Sequence, residues 1–493
     1  MYLLGYDIGS SSVKVALVDA KTGKTIGMAQ YPEQEMLISA PQTDWAEQAP
    51  ADWWASVCTA TAALLAQTRV SPSDIACIGI AYQMHGLVLL SESGEVLRPA
   101  IIWCDSRAVS IGEQAFVVLG SDYCLRHLLN APGNFTASKL RWVRENEPDI
   151  FARIDKIMLP GDYIAYQMTG DVYTTITGLS EGVLWDFSNH TVAESLLKLY
   201  EIPERMIPEQ VPVFGIQGHL TAAAALALGL APGTPVGYRA GDQPNNALSL
   251  NVLRPGEIAA TGGTSGVVYA VTSKPLYDPM LRVNSFAHVN YSPENPLTGV
   301  LLCLNGAGIA YRWARQLLGD THLTYPELEA MAATVNIGSE GLTVLPFGNG
   351  AERMLGNQNP GATFSGIQFN RHETRHYYRA ILEGVAFSFV KGTEILRALG
   401  VPVALLRVGN DNLFQSAIFS NTVATLLDVT IEVISTTGAV GAARASGVAI
   451  GVYDSIEDAM RETEIIAQYT PQPSKDAYRA AFKRWEGVLQ KNT

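Results

Sequence analysis

Two short loops of small residues carry groups that could grip a phosphate. The first runs Asp7-Ile8-Gly9-Ser10-Ser11-Ser12-Val13-Lys14 and the second Thr261-Gly262-Gly263-Thr264-Ser265-Gly266. Gly9 permits a tight turn and close approach of the backbone to a ligand. The hydroxyls and successive N–H groups of such tips can surround phosphate oxygens. Asp7 would repel a phosphate unless a cation lay between them, and Mg²⁺ is the usual one. Taken singly, each tip is also a plain turn or bulge, with Asp7 bonding within its own turn. One tip in each half of the chain points instead to a nucleotide held between two domains. Gly-x-x-x-x-Gly-Lys-Ser/Thr is missing and no Gly-x-Gly-x-x-Gly follows a strand, which argues against P-loop and Rossmann sites.

Asp242 stands in Arg239-Ala240-Gly241-Asp242-Gln243-Pro244, directly after an apolar strand. A carboxylate at a strand end facing a cleft suits a general base. It equally suits the N-cap of a helix starting near Pro244. Gln83-Met84-His85-Gly86 follows the apolar run 75–81, and Trp103-Cys104-Asp105 follows 100–102. Polar groups at strand ends beside an aromatic wall suit a small polyhydroxylated substrate. His85 alternatively reads as a satisfied core histidine. His372 and His376 have the i, i+4 spacing of a metal pair, but lie among Arg371, Arg375 and Arg379. They are expected on a solvated helix start. The Trp and Phe residues on helical patterns are expected in the core.

The elements that must position these groups recur in two halves. Strand-like runs at 3–7, 13–19 and 25–29 form a meander, followed by a helix over 53–67 and strands at 75–81 and 88–90. Helical patterns follow at 138–146 and 162–168. The pattern restarts with strands at 236–240, 257–260 and 267–271. Helices are then predicted over 307–318, 325–334, 377–399, 413–427 and 439–450. This places two domains over 1–247 and 248–493, meeting across a cleft with a hinge.

Composition agrees with that size. The 493 residues are 47% hydrophobic and only 16% charged, which excludes disorder and supports large cores. The balance of 34 Lys+Arg against 47 Asp+Glu disfavours nucleic acid or an anionic membrane as partner. Five scattered cysteines with no Cys-x-x-Cys fit neither a disulfide scaffold nor a structural zinc site. The start lacks a basic region before its short apolar run, and the apolar stretch 221–231 is shorter than the roughly 18 residues of a membrane span. The expectation is a soluble cytoplasmic protein.

Together these residues resemble the FGGY carbohydrate kinases, within the sugar kinase–Hsp70–actin superfamily. The resemblance runs from Asp7-Ile8-Gly9-Ser10 to Gly438-Ala439-Val440-Gly441-Ala442-Ala443-Arg444. It implies an α/β fold of two ribonuclease H-like domains of the actin/hexokinase ATPase type, with the sugar on the first and the nucleotide mainly on the second. ATP and Mg²⁺ are the implied cofactors, and the implied partners are small molecules, with a homodimer admitted. Asp242 matches the family's catalytic base, and Asp7 and Asp242 would hold the metal. Asp7, Gly9, Ser10, Ser11 and Lys14 match the first phosphate motif; Gly263, Thr264 and Ser265 match the second. Gly308, Arg312, Gly409, Asn410 and Asn412 fall where the family holds the nucleotide. Gln83, Met84, His85, Trp103, Asp105, Asp242 and Gln243 would face the sugar. Met84-His85-Gly86 and the segment 97–107 resemble family members acting on D-xylulose, which makes that the implied sugar. Gluconate, ribulose or glycerol are the alternatives, and a non-catalytic nucleotide-gated module is the rival from another class. Three segments depart from relatives: Gly409-Asn410-Asp411-Asn412 replaces Gly-Gly-Gly-Ala, Gln243 replaces Asn, and 174–180 lacks a Ser-Asp-Ala run.

Overall fold

The computed structural model describes every residue of 1–493 except Asp411, one member of the departing 409–412 segment. The chain divides into two units, the first comprising Met1–Asn251, Phe286–Thr298 and Thr436–Glu462, the second Val252–Ser285, Gly299–Ser435 and Thr463–Thr493. Where the sequence divides at 247/248, the structure divides near Asn251 and returns two later segments to the first unit.

The first unit is built on a sheet of β1 (Tyr2–Ile8), β2 (Val13–Asp19), β3 (Thr25–Tyr31), β4 (Ile75–Tyr82) and β5 (Val236–Gly241). Their order is β5-β4-β1-β2-β3. The meander β1-β2-β3 is antiparallel, while β4 and β5 run parallel to β1. Trp53, fully buried on the helix Pro50–Thr68, belongs to the core on one face. The helix Gly438–Ala449 covers the other. Its small residues explain the placement. A Cβ added to Gly5 or Gly79 would lie 2.0 or 1.9 Å from the carbonyl oxygens of Ala439 and Ala442. The sheet and helix backbones therefore touch, which any larger residue would prevent.

The second unit repeats the plan. The strands of the second sheet are β6 (Glu257–Gly262), β7 (Gly266–Thr272), β8 (Asn284–Ala287), β9 (Thr298–Leu304), β10 (Leu405–Gly409), β11 (Thr430–Ser435) and β12 (Glu464–Tyr469), of which Phe286, Ala287 and Thr298 fall in the first unit's segment. They stand in the order β8-β9-β7-β6-β10-β11-β12, with β6–β7 an antiparallel hairpin and β10 and β11 parallel to β6. A hairpin continued on its other side by two parallel strands is the ribonuclease H-like arrangement, present twice. The long helix Thr374–Ala398 and the buried Trp485 fill this core. Among the described residues no helix is long and apolar enough to cross a membrane.

Two local expectations change. The predicted helix over 413–427 is broken, because Ser416 adopts an extended conformation and accepts the Phe419 N–H, starting a new helix at Ala417. A short 3₁₀ turn, Leu413–Gln415, precedes it. His376 is buried rather than solvated, and its Nδ1 accepts the Glu373 N–H at the start of the long helix. Among the described residues no metal-binding cluster of three or more His, Cys, Asp or Glu exists.

Candidate active site

Parallel strands bring distant residues to one end of the first sheet. Register pairs Ile8 with Tyr82 and Tyr82 with Gly241, so Asp7, Gln83 and Asp242 share the carboxyl edge of β1, β4 and β5. Ligands of open α/β sheets bind at such edges. Asp7 is fixed against Gly438, whose Cβ, if present, would lie 2.6 Å from Asp7 Oδ2. Burial raises the Asp7 carboxyl, and Lys14, its cross-strand partner, opposes that rise. Burial first, and then the charge of Asp7, push Asp242 up to about 7. That value suits proton abstraction near neutrality.

Asp242 is not an N-cap. Gly241 occupies that position, no side-chain cap is made, and Asp242 is the first helical residue of Asp242–Ser249. Gln243 follows it on the first turn, partly exposed. Asn245 donates from Nδ2 to the Gly438 carbonyl at 3.0 Å, tying this turn to the glycine that faces Asp7.

The first tip and the sugar-side segments also meet. Gly9 N–H donates to the Ser12 carbonyl at 3.0 Å, closing the turn. Trp103, half exposed, donates from Nε1 to Ser10 Oγ at 3.3 Å. Gln83 Nε2 donates to Gln48 Oε1 at 3.3 Å, and Gln48 Nε2 in turn donates to the Ser10 carbonyl at 2.7 Å. Ser11 is exposed at the tip, its carbonyl accepting the Met36 N–H. His85 sits at φ 62°, in the left-handed region. Its Nδ1 lies 2.8 Å from the Glu181 carbonyl oxygen, and its ring packs edge-on to Phe135.

Two residues expected against the sugar are buried and engaged within the protein. Asp105 is fully buried; Oδ2 accepts the Ala46 N–H at 2.6 Å and both oxygens accept from the Arg107 guanidinium. It secures the turn that follows Trp103. Met84 is also buried, its Cγ only 2.6 Å from where a Cβ on Gly241 would stand.

Sequence reasoning missed Gln48 and Glu181. Glu181 ends the helix Ile176–Glu181 and is buried, with Oε2 lying 2.2 Å from the position of a Gly241 Cβ. Burial, then the charges of Asp242 and Asp162, drive its carboxyl well above the usual range. No local pattern marks either residue, because their partners lie far away in the chain.

The second unit holds a cavity of about 480 Å³, within the range of small-molecule sites. Gly263, Thr264, Gly308, Arg312 and Asn412 line it, joined by Tyr325, Glu329, Gln415 and Ser416, which sequence reasoning had not singled out. The second tip is bonded to a helix N-terminus: Gly308 N–H donates to the Gly263 carbonyl at 2.8 Å, and Ile309 N–H to the Thr264 carbonyl at 3.1 Å. A Cβ on Gly308 would lie 2.4 Å from Gly263 O, so glycine is required there. Glu329 accepts from Ser416 Oγ at 2.7 Å and fixes the opposite wall. Ser265, Gly409 and Asn410 are not among the lining residues; Gly409 ends β10 and accepts from Asn412 Nδ2 at 3.3 Å.

Known proteins share this arrangement. The N-terminal domain of the FGGY family of carbohydrate kinases matches residues 2–249, and its C-terminal domain matches 258–450. The xylulose kinase of Escherichia coli K12 is 32% identical over 412 residues, covering 83% of this chain and 81% of that protein. The xylulose kinase of Lactococcus lactis IL1403 is 28% identical, covering 100% and 97%. The crystal structure of the xylulose kinase from Rhodospirillum rubrum superposes with a TM-score of 0.87 at 26% identity, covering 100% of this chain and 99% of that one. On its two matched domains and its ribonuclease H-like sheets, the chain belongs to the FGGY family of carbohydrate kinases.

Proposed function

We propose that the protein transfers the γ-phosphate of ATP to a hydroxyl of D-xylulose, giving D-xylulose 5-phosphate. The observation that carries this reading is the place of Asp242, on the first helical turn directly after the carboxyl edge of β5 and on the same sheet edge as Asp7. The likeness to xylulose kinases, with Met84-His85-Gly86, supports the sugar.

Phosphoryl transfer asks little covalent work of a protein; it asks for in-line positioning and charge stabilisation. Asp242 takes the hydroxyl proton as the oxygen attacks phosphorus. Gly263 and Thr264, beside the helix N-terminus at Gly308, hold phosphate oxygens, and the cavity walls at Arg312, Asn412 and Ser416 receive the nucleoside. His85 and Trp103 bind the sugar, while Gln83 and Gln48 hold the Ser10 turn.

The donors present fit Mg²⁺. Asp7 and Asp242 are hard oxygen ligands that repel each other, and no third acid, His or Cys completes a cage among the described residues. Mg²⁺ commonly takes one or two carboxylates and keeps several waters. Asp7 and Asp242 would hold it, and it would neutralise phosphate charge. Cys58, Cys77, Cys104 and Cys124 are free thiols, which supports a reducing, cytoplasmic setting.

The test of the sugar is a panel of D-xylulose, gluconate, ribulose and glycerol in a coupled ADP-release assay. D-xylulose should give the highest kcat/KM, and absence of that preference overturns the choice. Two further outcomes follow. His85→Ala should raise KM for the sugar about tenfold or more, from a loss of about 1–3 kcal/mol, with KM for ATP nearly unchanged. Wild-type sugar kinetics with a lowered Tm would make His85 a core residue. Because the base must be ionised, kcat/KM should be flat well above pH 7. It should fall as pH drops through about 7, approaching about tenfold per unit at lower pH. A flat profile down to pH 5 would remove Asp242 as the titrating group.

A further inference from the structure

Lys139, on the helix Thr136–Asn146, is fully buried. Its Nζ donates to the carbonyl of His85 at 2.8 Å and to the carbonyl of Ile102 at 2.9 Å. Those carbonyls belong to two segments far apart in sequence: the turn carrying His85 and the residue just before Trp103. We infer that Lys139 is a positioning residue for the sugar, its ammonium holding the His85 turn and the Trp103 turn in fixed relation. The inference rests on the reading that these two turns bind the sugar.

Burying an ammonium is costly, and a methionine of similar length would fill the space without that cost. What methionine cannot do is bond two carbonyls. One turn earlier on the same helix, Thr136 Oγ1 donates to the Gly86 carbonyl at 3.3 Å, so consecutive carbonyls of the His85 turn are held from one helix face. His85 needs this restraint, because its φ of 62° is unfavourable for a residue with a Cβ. The second turn is tied equally firmly. Asp105 bonds Ala46 N–H and Arg107, and the Arg107 guanidinium lies 3.8 Å from the Trp45 ring centroid. Burial pushes Lys139 down to about 7, and the Asp105 carboxylate, from the Trp103 turn itself, opposes that fall. Leu87 and Ile101 pair through two backbone hydrogen bonds and join the two segments behind these turns, but at the turns themselves the His85 and Ile102 carbonyls would lose their shared donor. The sugar would then meet its two walls at the wrong separation, whereas the nucleotide cavity, lined wholly by the other unit, would be unaffected.

The test compares full-length Lys139→Met, Lys139→Gln and His85→Ala with the wild type, using D-xylulose and ATP. Lys139→Met should raise KM for the sugar by about tenfold or more, leaving KM for ATP within about twofold. Lys139→Gln, which keeps a shorter neutral donor, should raise it less and serves if the methionine variant does not fold. A folded Lys139 variant with wild-type sugar KM, or one in which both KM values rise together, overturns the inference. So does failure of both variants to fold, which would make Lys139 a stability residue. If His85→Ala raises the sugar KM and Lys139→Met does not, only the positioning role falls. If neither does, the sugar-binding reading of the turns falls with it.

Discussion

Asp242→Asn should lower kcat by at least about a hundredfold while nucleotide affinity is kept. The structure makes this substitution easy to interpret. Gly241, not Asp242, is the N-cap, so no side-chain cap is lost. Removing the charge forfeits about 0.3–1 kcal/mol of favourable interaction with the helix N-terminus. Against that, it relieves repulsion with Asp7. Folding should therefore be preserved, and the loss can be attributed to the missing proton acceptor. The nucleotide cavity has no lining residue from this segment, so equilibrium binding of ATP measured without added metal should match the wild type. Near-normal turnover in the folded variant would send the search for the base elsewhere.

Gly79→Ala should destabilise the first unit by at least about 3 kcal/mol, the upper range for overpacking a core. Its Cβ would stand 1.9 Å from Ala442 O and 2.6 Å from Ala442 C, both backbone atoms of the helix Gly438–Ala449. No side-chain rotation relieves such a clash; the helix must move off the sheet. Gly487→Ala is the control, because its Cβ meets nothing within 4 Å. Alanine there should be neutral or stabilise the helix by about 0.5–1 kcal/mol. Thermal unfolding of the two variants decides it. A Gly79→Ala protein melting with the wild type would mean that helix and sheet are not in backbone contact.

That helix marks where the sequence stops being legible. Its run of Gly, Ala and Ser announces a close contact, but not that residues 438–449 return to strands formed by the first 82 residues. The hairpins and their tips were legible because alternation, Gly/Ser punctuation and apolar runs are local signals. For the same reason Asp7, Asp242 and Thr264 stand out as candidates from their positions at strand ends and turns. Gln48, Lys139, Glu181 and Glu329 could not. Each is a polar side chain whose partners lie far along the chain, and only the packed structure brings them together. Asp105 and Met84 show the reverse. Their place in a motif suggests contact with substrate, and what the sequence does not show is that Arg107 bonds one and the end of β5 packs on the other. Among arginines, His376 reads as solvated, whereas its buried ring closes the first turn of the long helix.

The most direct test of the central claim is the stoichiometry of ATP turnover by the wild-type protein with and without D-xylulose. ADP release should be negligible without sugar, rise steeply with it, and be matched one for one by D-xylulose 5-phosphate. Equal ATP turnover in the absence of sugar, or ADP formed with no phosphorylated sugar, would contradict the account.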